Sequence, residues 1–110
     1  MNGLRRRLLL ATGAAALVSA STLRAQAATA THSVTIDAFA FKPATLTVKQ
    51  GDVVVWSNAD PVPHTATAKG TFDSGSLATG VSWRYTAAKK GRFDYVCTLH
   101  PTMKGVLVVE

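Results

Sequence analysis

The sequence predicts an all-β domain folded as a single β-sandwich. Apolar and polar residues alternate with a period of two from His32 onward. No window shows the apolar stripe of an amphipathic helix. Turn-forming residues recur at the spacing that is typical of an antiparallel sandwich or barrel. Together these three observations favour short strands joined by tight turns.

The length and the charge of the chain limit its organisation. The 110 residues fit one domain, and the formal net charge is +6. Four of the twelve basic residues lie within residues 1–27, so the other 83 residues carry eight basic and six acidic side chains, a net charge of +2. A domain with so little excess charge is poorly suited to bind nucleic acid or a membrane surface through a basic patch.

We predict that residues 1–27 are an export signal peptide. Arg5–Arg7 form a basic region, Leu8–Ala20 form an apolar region, and Ala25-Gln26-Ala27 fits the small-x-small rule for cleavage. The paired arginines resemble the twin-arginine type of signal, although a Sec signal also has basic residues here. Ala28-Thr29-Ala30 is a second candidate cleavage site. Residues 28–110 are then the mature domain.

The apolar region of the signal is too short to span a membrane. It has 13 residues, whereas a span needs roughly 20. We therefore expect no membrane span and a location in the bacterial periplasm. The chain has a single cysteine, Cys97, which cannot form an internal disulfide. Because the periplasm is oxidising, we expect this free thiol to be buried or bound to a metal. A metal would also brace a small core.

The first half of the mature domain contains three predicted strands. Val34 and Ile36 alternate with polar residues, and a second alternating segment follows around Leu46 and Val48. Gln50-Gly51-Asp52 then interrupts the pattern. The run Val53–Trp56 is continuously β-branched and aromatic, which predicts a strand buried on both faces.

The second half contains three further predicted strands. They are Val81–Thr86, Arg92–Val96 and Gly105–Val109, separated by turn signals such as Lys89-Lys90-Gly91. The residues predicted to face the core are Val34 and Ile36 with Phe39 or Phe41, Leu46 and Val48, Val53 and Val55 or else Val54 and Trp56, Phe93 and Tyr95 or their alternates, and Val106 with Val108. The alternatives stay open because a shift of one residue exchanges the two faces of a strand.

One cluster of residues has the chemistry of a metal site. Cys97, His100 and Met103 form a C-x-x-H-x-x-M motif between the last two strands, and His64 lies at a separate turn. A thiolate, two imidazoles and a thioether are the ligands of a trigonal His₂Cys copper site with a weak axial Met. We therefore predict one copper ion, cycling between Cu(I) and Cu(II), held by His64, Cys97, His100 and Met103.

Each of these residues has an ordinary explanation when it is taken alone. A lone cysteine is commonly an inert buried thiol, a lone loop histidine a surface residue, and a lone methionine a filler of the core. The combination of all four ligand types favours copper, and a thioether is not typical of zinc sites. The remaining histidine, His32, opens the first strand, and we predict that it is exposed and has no role.

The mature chain resembles the small single-domain cupredoxins of the plastocyanin and amicyanin group, and within that group it is most similar to amicyanin. The resemblance covers nearly all of the mature chain. The matching segments are Phe39–Val48, Gly51–Asn58, Pro63-His64-Thr65, Phe72–Gly75 and Tyr95–Gly105. The two-residue spacings within Cys97–Met103 are similar to amicyanin rather than to plastocyanin.

The resemblance implies a fold, a cofactor and the positions of several residues. It implies a Greek-key sandwich of about eight strands with type 1 copper at one end. The same four residues match the family ligands. The backbone N–H of Thr65 matches the donor to the cysteine sulfur, and Asn58 lies in the segment that stiffens the two ligand loops.

The resemblance also implies how the protein meets its partners. His100 matches the ligand whose ring edge reaches the surface, where redox proteins would dock. The predicted apolar collar consists of Pro61, Val62, Pro63, Leu99, Pro101 and Met103. Amicyanin suggests a methylamine dehydrogenase as electron donor and a c-type cytochrome as acceptor. Leu99 and Thr102 depart from the amicyanin pattern, which has Pro before the histidine and Phe before the methionine.

The predicted function is that of a periplasmic blue copper protein, a monomer that transfers single electrons between redox proteins. An enzyme with further coppers would need more than the three histidines of this chain. A copper carrier or scavenger would use the same ligands and is the alternative, although His-rich or Met-rich segments are missing. An exported β-sandwich binding module without copper is the third candidate.

Overall fold

The computed structural model describes residues 28–110, and the predicted signal peptide, residues 1–27, lies outside them. Nine strands form in this range. They are β1 (Thr31–Asp37), β2 (Ala40–Lys42), β3 (Thr45–Val48), β4 (Val53–Asn58), β5 (Thr67–Ala68), β6 (Phe72–Asp73), β7 (Ser82–Thr86), β8 (Gly91–Val96) and β9 (Lys104–Val109).

The strands form two sheets, which confirms the predicted β-sandwich. The first sheet has the order β2-β1-β4-β7 and the second has the order β3-β9-β8-β5-β6. Nine strands are present instead of about eight, since the two-residue strands β5 and β6 extend the second sheet. Both sheets are mixed, because β1 pairs with β4 and β3 pairs with β9 in parallel. The alternating pattern alone does not distinguish these parallel pairs from antiparallel ones.

The core lies between the sheets and is rich in aromatic rings. Trp56 from the first sheet contacts Tyr95 and Phe72 from the second, with ring centroids 5.5 Å and 5.2 Å apart. Val34, Ile36 and other residues on the inner faces complete the packing. Burial of this apolar surface is the main force that holds the two sheets together.

The structure decides the strand faces that the pattern left open. On β4 the buried residues are Val54 and Trp56, and their neighbours are only half-buried. The prediction of a strand buried on both faces is therefore wrong. Phe41 on β2 is buried, whereas Phe39 in the turn before β2 is half-exposed. Tyr95 on β8 is buried.

The predicted inner face of β9 needs correction, whereas that of β3 is confirmed. On β9 the buried pair is Leu107 and Val109, so the choice of Val106 and Val108 is wrong by one residue. On β3 Val48 is buried and Leu46 packs against the core beside it, as predicted. Both faces of β9 are apolar, so alternation could not identify the inner one.

The two ends of the sandwich differ in the loops that they display. At one end, β1 and β4 finish side by side, since Ile36 pairs with Asn58, and the loops that follow β4 and β8 meet there. We call this the site end. The opposite end contains the start of β1 and the turn before β4. Within residues 28–110, the structure has no helix with the length and apolar character needed to cross a membrane.

Candidate metal centre

Three of the four predicted ligands converge at the site end. Cys97 Sγ lies 3.6 Å from His64 Nδ1 and 3.8 Å from His100 Nδ1. One ligand atom from each of the three residues can be chosen so that all lie within 4.8 Å of one another. Cys97 and His64 are fully buried, whereas His100 is half-buried. The thiol therefore faces both imidazoles, as the sequence predicted.

The loop from Cys97 to Met103 is held by its own backbone. The His100 N–H donates to the Cys97 carbonyl (3.2 Å), and the Met103 N–H donates to the His100 carbonyl (2.9 Å). The Cys97 N–H closes the loop by donating to the Met103 carbonyl (3.1 Å). These bonds close the segment from Cys97 to Met103 into a tight loop. Met103 is buried, so its predicted place in an exposed collar is wrong.

His64 is anchored through its backbone on both sides. Its N–H donates to the Leu77 carbonyl (3.1 Å), and its own carbonyl accepts from the Leu77 N–H (2.8 Å). The Asn58 side-chain amide donates to the carbonyls of Val62 and Leu77, both at 2.9 Å. Asn58 thus stiffens the loop that carries His64. The resemblance implied this role for both ligand loops, and these bonds show it for one of them.

The two ligand loops are joined through Thr65. Its backbone N–H donates to Cys97 Sγ at 3.3 Å, as the resemblance implied. Its hydroxyl accepts the Thr98 N–H at 2.9 Å and lies 3.1 Å from the Thr98 hydroxyl. These bonds tie the loop that carries His64 to the loop that carries Cys97.

Asp60 is a functional residue that the sequence analysis missed. Its buried Oδ2 lies 2.8 Å from His64 Nε2. It also accepts backbone N–H bonds from Ala38 (2.7 Å) and Phe39 (2.9 Å). The N–H of Phe39 is the largest cause of a lowered Asp60 pKa, with the Ala38 and His64 bonds acting in the same direction and burial opposing them. The available signal was an aspartate four residues before a predicted ligand.

Phe39 is the second residue that the sequence analysis missed at this site. Its ring meets the His64 and His100 rings edge-on, with centroids 5.2 Å and 5.0 Å away. Sequence reasoning considered Phe39 only as a possible core residue. Phe39 and Asp60 are 21 positions apart in the sequence, so no local pattern could reveal their contact.

His32 lies at the opposite end and is not the exposed, idle residue that we predicted. Its side chain is 27% exposed, and its Nε2 lies 2.9 Å from Asp52 Oδ2. This hydrogen bond is the largest cause of an Asp52 pKa lowered to about 2, and the N–H groups of Ala30 and Lys49 add to it. The prediction was wrong because the turn before β4 folds back beside the start of β1.

The donor atoms fit copper. Two imidazole nitrogens face one thiol sulfur, and the thioether residue Met103 is buried in the same short loop. This cluster of His64, Cys97, His100 and Met103 is typical of a type 1 copper site. Fold and site together define a small β-sandwich protein of the copper-binding class.

Comparisons with known proteins agree with this class. A model of the cupredoxin-like domain matches residues 8–109. Amicyanin-alpha of Methylorubrum extorquens is 30% identical over 93% of this chain and 92% of its own length. Amicyanin of Paracoccus versutus is 31% identical over 59% of this chain and 54% of its own length. The chain therefore belongs to the cupredoxin family, with an amicyanin-like sequence.

Solved structures show the same likeness. The Cu(I) form of an amicyanin variant superposes with a TM-score of 0.69 and 30% identity, over 78% of this chain and 88% of that one. A copper-containing nitrite reductase from Thermus scotoductus gives a TM-score of 0.68 and 27% identity, over 72% of this chain. The match spans only 22% of that enzyme. Amicyanin-alpha matches over most of its own length, which agrees with the prediction that this chain is not an enzyme.

Proposed function

We propose that the protein is a periplasmic type 1 copper protein that transfers single electrons between redox proteins. The observation that carries the proposal is the convergence of His64 Nδ1, Cys97 Sγ and His100 Nδ1 at the site end. These three residues would hold the ion together with Met103, whose thioether would bind more weakly than the other ligands. Bound copper would supply a one-electron couple at this position.

The chain would hold the ligands with little room to move. His64 is fixed by its two backbone bonds to Leu77, and the Cys97–Met103 loop is closed by its own hydrogen bonds. Cys97 additionally receives the N–H of Thr65. A cage that keeps one shape in both oxidation states lowers the structural rearrangement that accompanies electron transfer.

The apolar surface around His100 supports docking of a redox partner there. Three large apolar side chains of residues 28–110 are exposed: Phe39 (50%), Val81 (44%) and Leu99 (53%). All three lie at the site end, since Val81 bonds to the end of β4 and Leu99 precedes His100. Small apolar patches of this kind suit transient redox complexes. We propose a dehydrogenase as donor and a c-type cytochrome as acceptor.

Export with removal of residues 1–27 completes the proposal. Contacts of Ala30 support cleavage after Ala27 rather than after Ala30. Its N–H donates to Asp52 Oδ1 (3.1 Å), and its carbonyl accepts from the Val53 N–H (2.9 Å). Cleavage after Ala30 would remove both bonds. The mass of the exported protein distinguishes a chain that begins at Ala28 from one that begins at Thr31.

The copper centre is tested by adding Cu(II) to the mature domain beside a Cys97→Ser variant. We expect an intense blue thiolate-to-copper band that a reductant bleaches and that the variant lacks, because serine offers no soft thiolate. Thr102→Ala, at an exposed position of the same loop, keeps every ligand, is the matched control and should stay blue. A colourless wild-type protein would refute the type 1 assignment. Stopped-flow oxidation by a c-type cytochrome then separates electron transfer from copper storage.

A further inference from the structure

The turn between β1 and β2 has an unusual backbone at the site end. Ala38 and Phe39 have φ angles of +52° and +57°, although neither is glycine. The two residues are the loop of a hairpin in which Asp37 pairs with Ala40, and a two-residue hairpin loop of this type needs positive φ at both positions. Side chains make that region unfavourable, so contacts that hold the turn offset the cost. Such contacts are present on both the backbone and the side chain of this turn.

The backbone of the turn is held by Asp60. One buried carboxylate accepts the N–H of Ala38 at Oδ1 and the N–H of Phe39 at Oδ2. The same Oδ2 lies 2.8 Å from His64 Nε2. The Asp60 backbone is fixed in turn, because its N–H donates to Asn58 Oδ1 (2.9 Å) and its carbonyl accepts the Thr79 hydroxyl (2.7 Å).

The carboxylate also determines which nitrogen of His64 carries the proton. An ionised carboxylate only accepts hydrogen bonds, so Nε2 of the neutral imidazole must hold the hydrogen. The lone pair then resides on Nδ1, which faces Cys97 Sγ at 3.6 Å. The opposite tautomer would direct an N–H at the position where a metal must bind.

The side chain of the turn completes the arrangement. Phe39 contacts both histidine rings nearly at right angles, at 88° to His64 and 87° to His100. The two histidine rings are themselves 4.9 Å apart. The phenyl ring thus packs against the buried histidine and the half-buried one together.

We propose that Asp60 and Phe39 are positioning residues that arrange the two histidines for copper before the ion binds. Asp60 selects the tautomer of His64 and holds the turn in its left-handed form. The held turn places the Phe39 ring against His64 and His100. This inference rests on the proposed function for the identity of the metal, but the arrangement itself belongs to the metal-free protein.

The first test is made without copper. Side-chain ¹⁵N NMR of the metal-free protein should show His64 with its proton on Nε2. Asp60→Asn should introduce the Nδ1–H form, because an amide NH₂ can donate to Nε2. A wild-type His64 with its proton on Nδ1 would overturn the role of Asp60. The tautomer of His64 is measured without copper, so the result does not depend on the blue band. A failure of the copper proposal and a failure of this inference are therefore distinguished.

The second test measures the release of Cu(I) to a chelator. Phe39→Leu keeps an apolar side chain but removes the ring edge, and we expect release to be about tenfold faster, the lower end of the range for residues that support metal ligands. Phe93→Leu is the matched control, since Phe93 pairs with Leu107 away from the ligand loops, and its release rate should equal that of the wild type.

The spectrum separates positioning from ligation. Phe39→Leu should retain the blue band because all four ligands remain, while the ring of His100 becomes more mobile in NMR relaxation of the metal-free protein. Release within twofold of the wild type, together with unchanged His100 relaxation, would overturn the role of Phe39. This variant tests the proposal even if Asp60→Asn does not fold.

Discussion

A histidine paired with an aspartate lies at each end of the sandwich. At the site end His64 Nε2 is 2.8 Å from Asp60, and at the opposite end His32 Nε2 is 2.9 Å from Asp52. Each carboxylate also accepts two backbone N–H bonds. Only the first pair has a thiol and a second imidazole on the far side of its histidine. A carboxylate therefore orients a histidine ring at both ends of the sandwich. A metal site forms only at the end where a loop places further ligands on the other side of that ring.

The largest expected difference between the two ends concerns copper. His64→Ala should abolish the blue band and weaken copper binding by more than the roughly 100-fold range of residues that only support ligands. His32→Ala should leave both unchanged, because its ring lies at the opposite end. Copper titrations followed by absorption measure both effects. A loss of colour in His32→Ala would show that the two ends are not independent.

A second difference concerns glycine. A Cβ on Gly105, just after the ligand loop, would overlap the ring of Tyr95, which is buried and cannot move aside. Gly51, at the opposite end, has open space around its Cα but a φ of +93°. We expect Gly105→Ala to cost about 3 kcal/mol through overpacking and Gly51→Ala about 1 kcal/mol through backbone strain.

Urea denaturation measures these two free energies of unfolding. The control for both is Ala88→Gly, which changes backbone freedom at an exposed turn without adding an atom to the core. If Gly105→Ala were the milder change, the packing of Tyr95 against β9 would not be as close as described.

The smallest expected effect is the acid response of Asp52. Its pKa is about 2 instead of 3.8, chiefly because of the His32 hydrogen bond. A carboxyl group with a lowered pKa stabilises the fold above its ordinary pKa, and this contribution disappears as the pH falls towards about 2. Asp52→Asn should therefore be less stable than the wild type near pH 6, with the difference shrinking between pH 4 and pH 2.

Chemical denaturation at several pH values measures this difference. Asp94→Asn alters a carboxyl group that is 75% exposed and serves as the control. A stability difference for Asp52→Asn that stayed constant down to pH 2 would contradict the lowered pKa.

The sequence allowed the sandwich and the ligand residues to be predicted for different reasons. Period-two alternation reports a half-buried strand directly, and the C-x-x-H-x-x-M spacing places three donors in one loop. Alternation could not show which face of β9 points to the core, because Val106 and Leu107 are equally apolar. It also could not show the parallel pairing of β1 with β4.

The supporting residues of the site could not be derived from local patterns. Phe39 meets the two histidines from a turn whose N–H groups donate to Asp60, 21 residues further along. His32 likewise meets Asp52 across 20 residues. Contacts of this kind follow from the packing of the strands, so the metal ligands were predictable and the residues that orient them were not.

The position of the ligand loop in the chain has a consequence for biogenesis. The loop follows β8 and precedes β9, which pairs with both β3 and β8. The ribosome makes Cys97 33 residues after His64, a delay of roughly 2 to 7 seconds at typical elongation rates. The thiol therefore joins the chain only after β1–β8 have been made, so a metal that needs this ligand can bind only to a nearly complete chain.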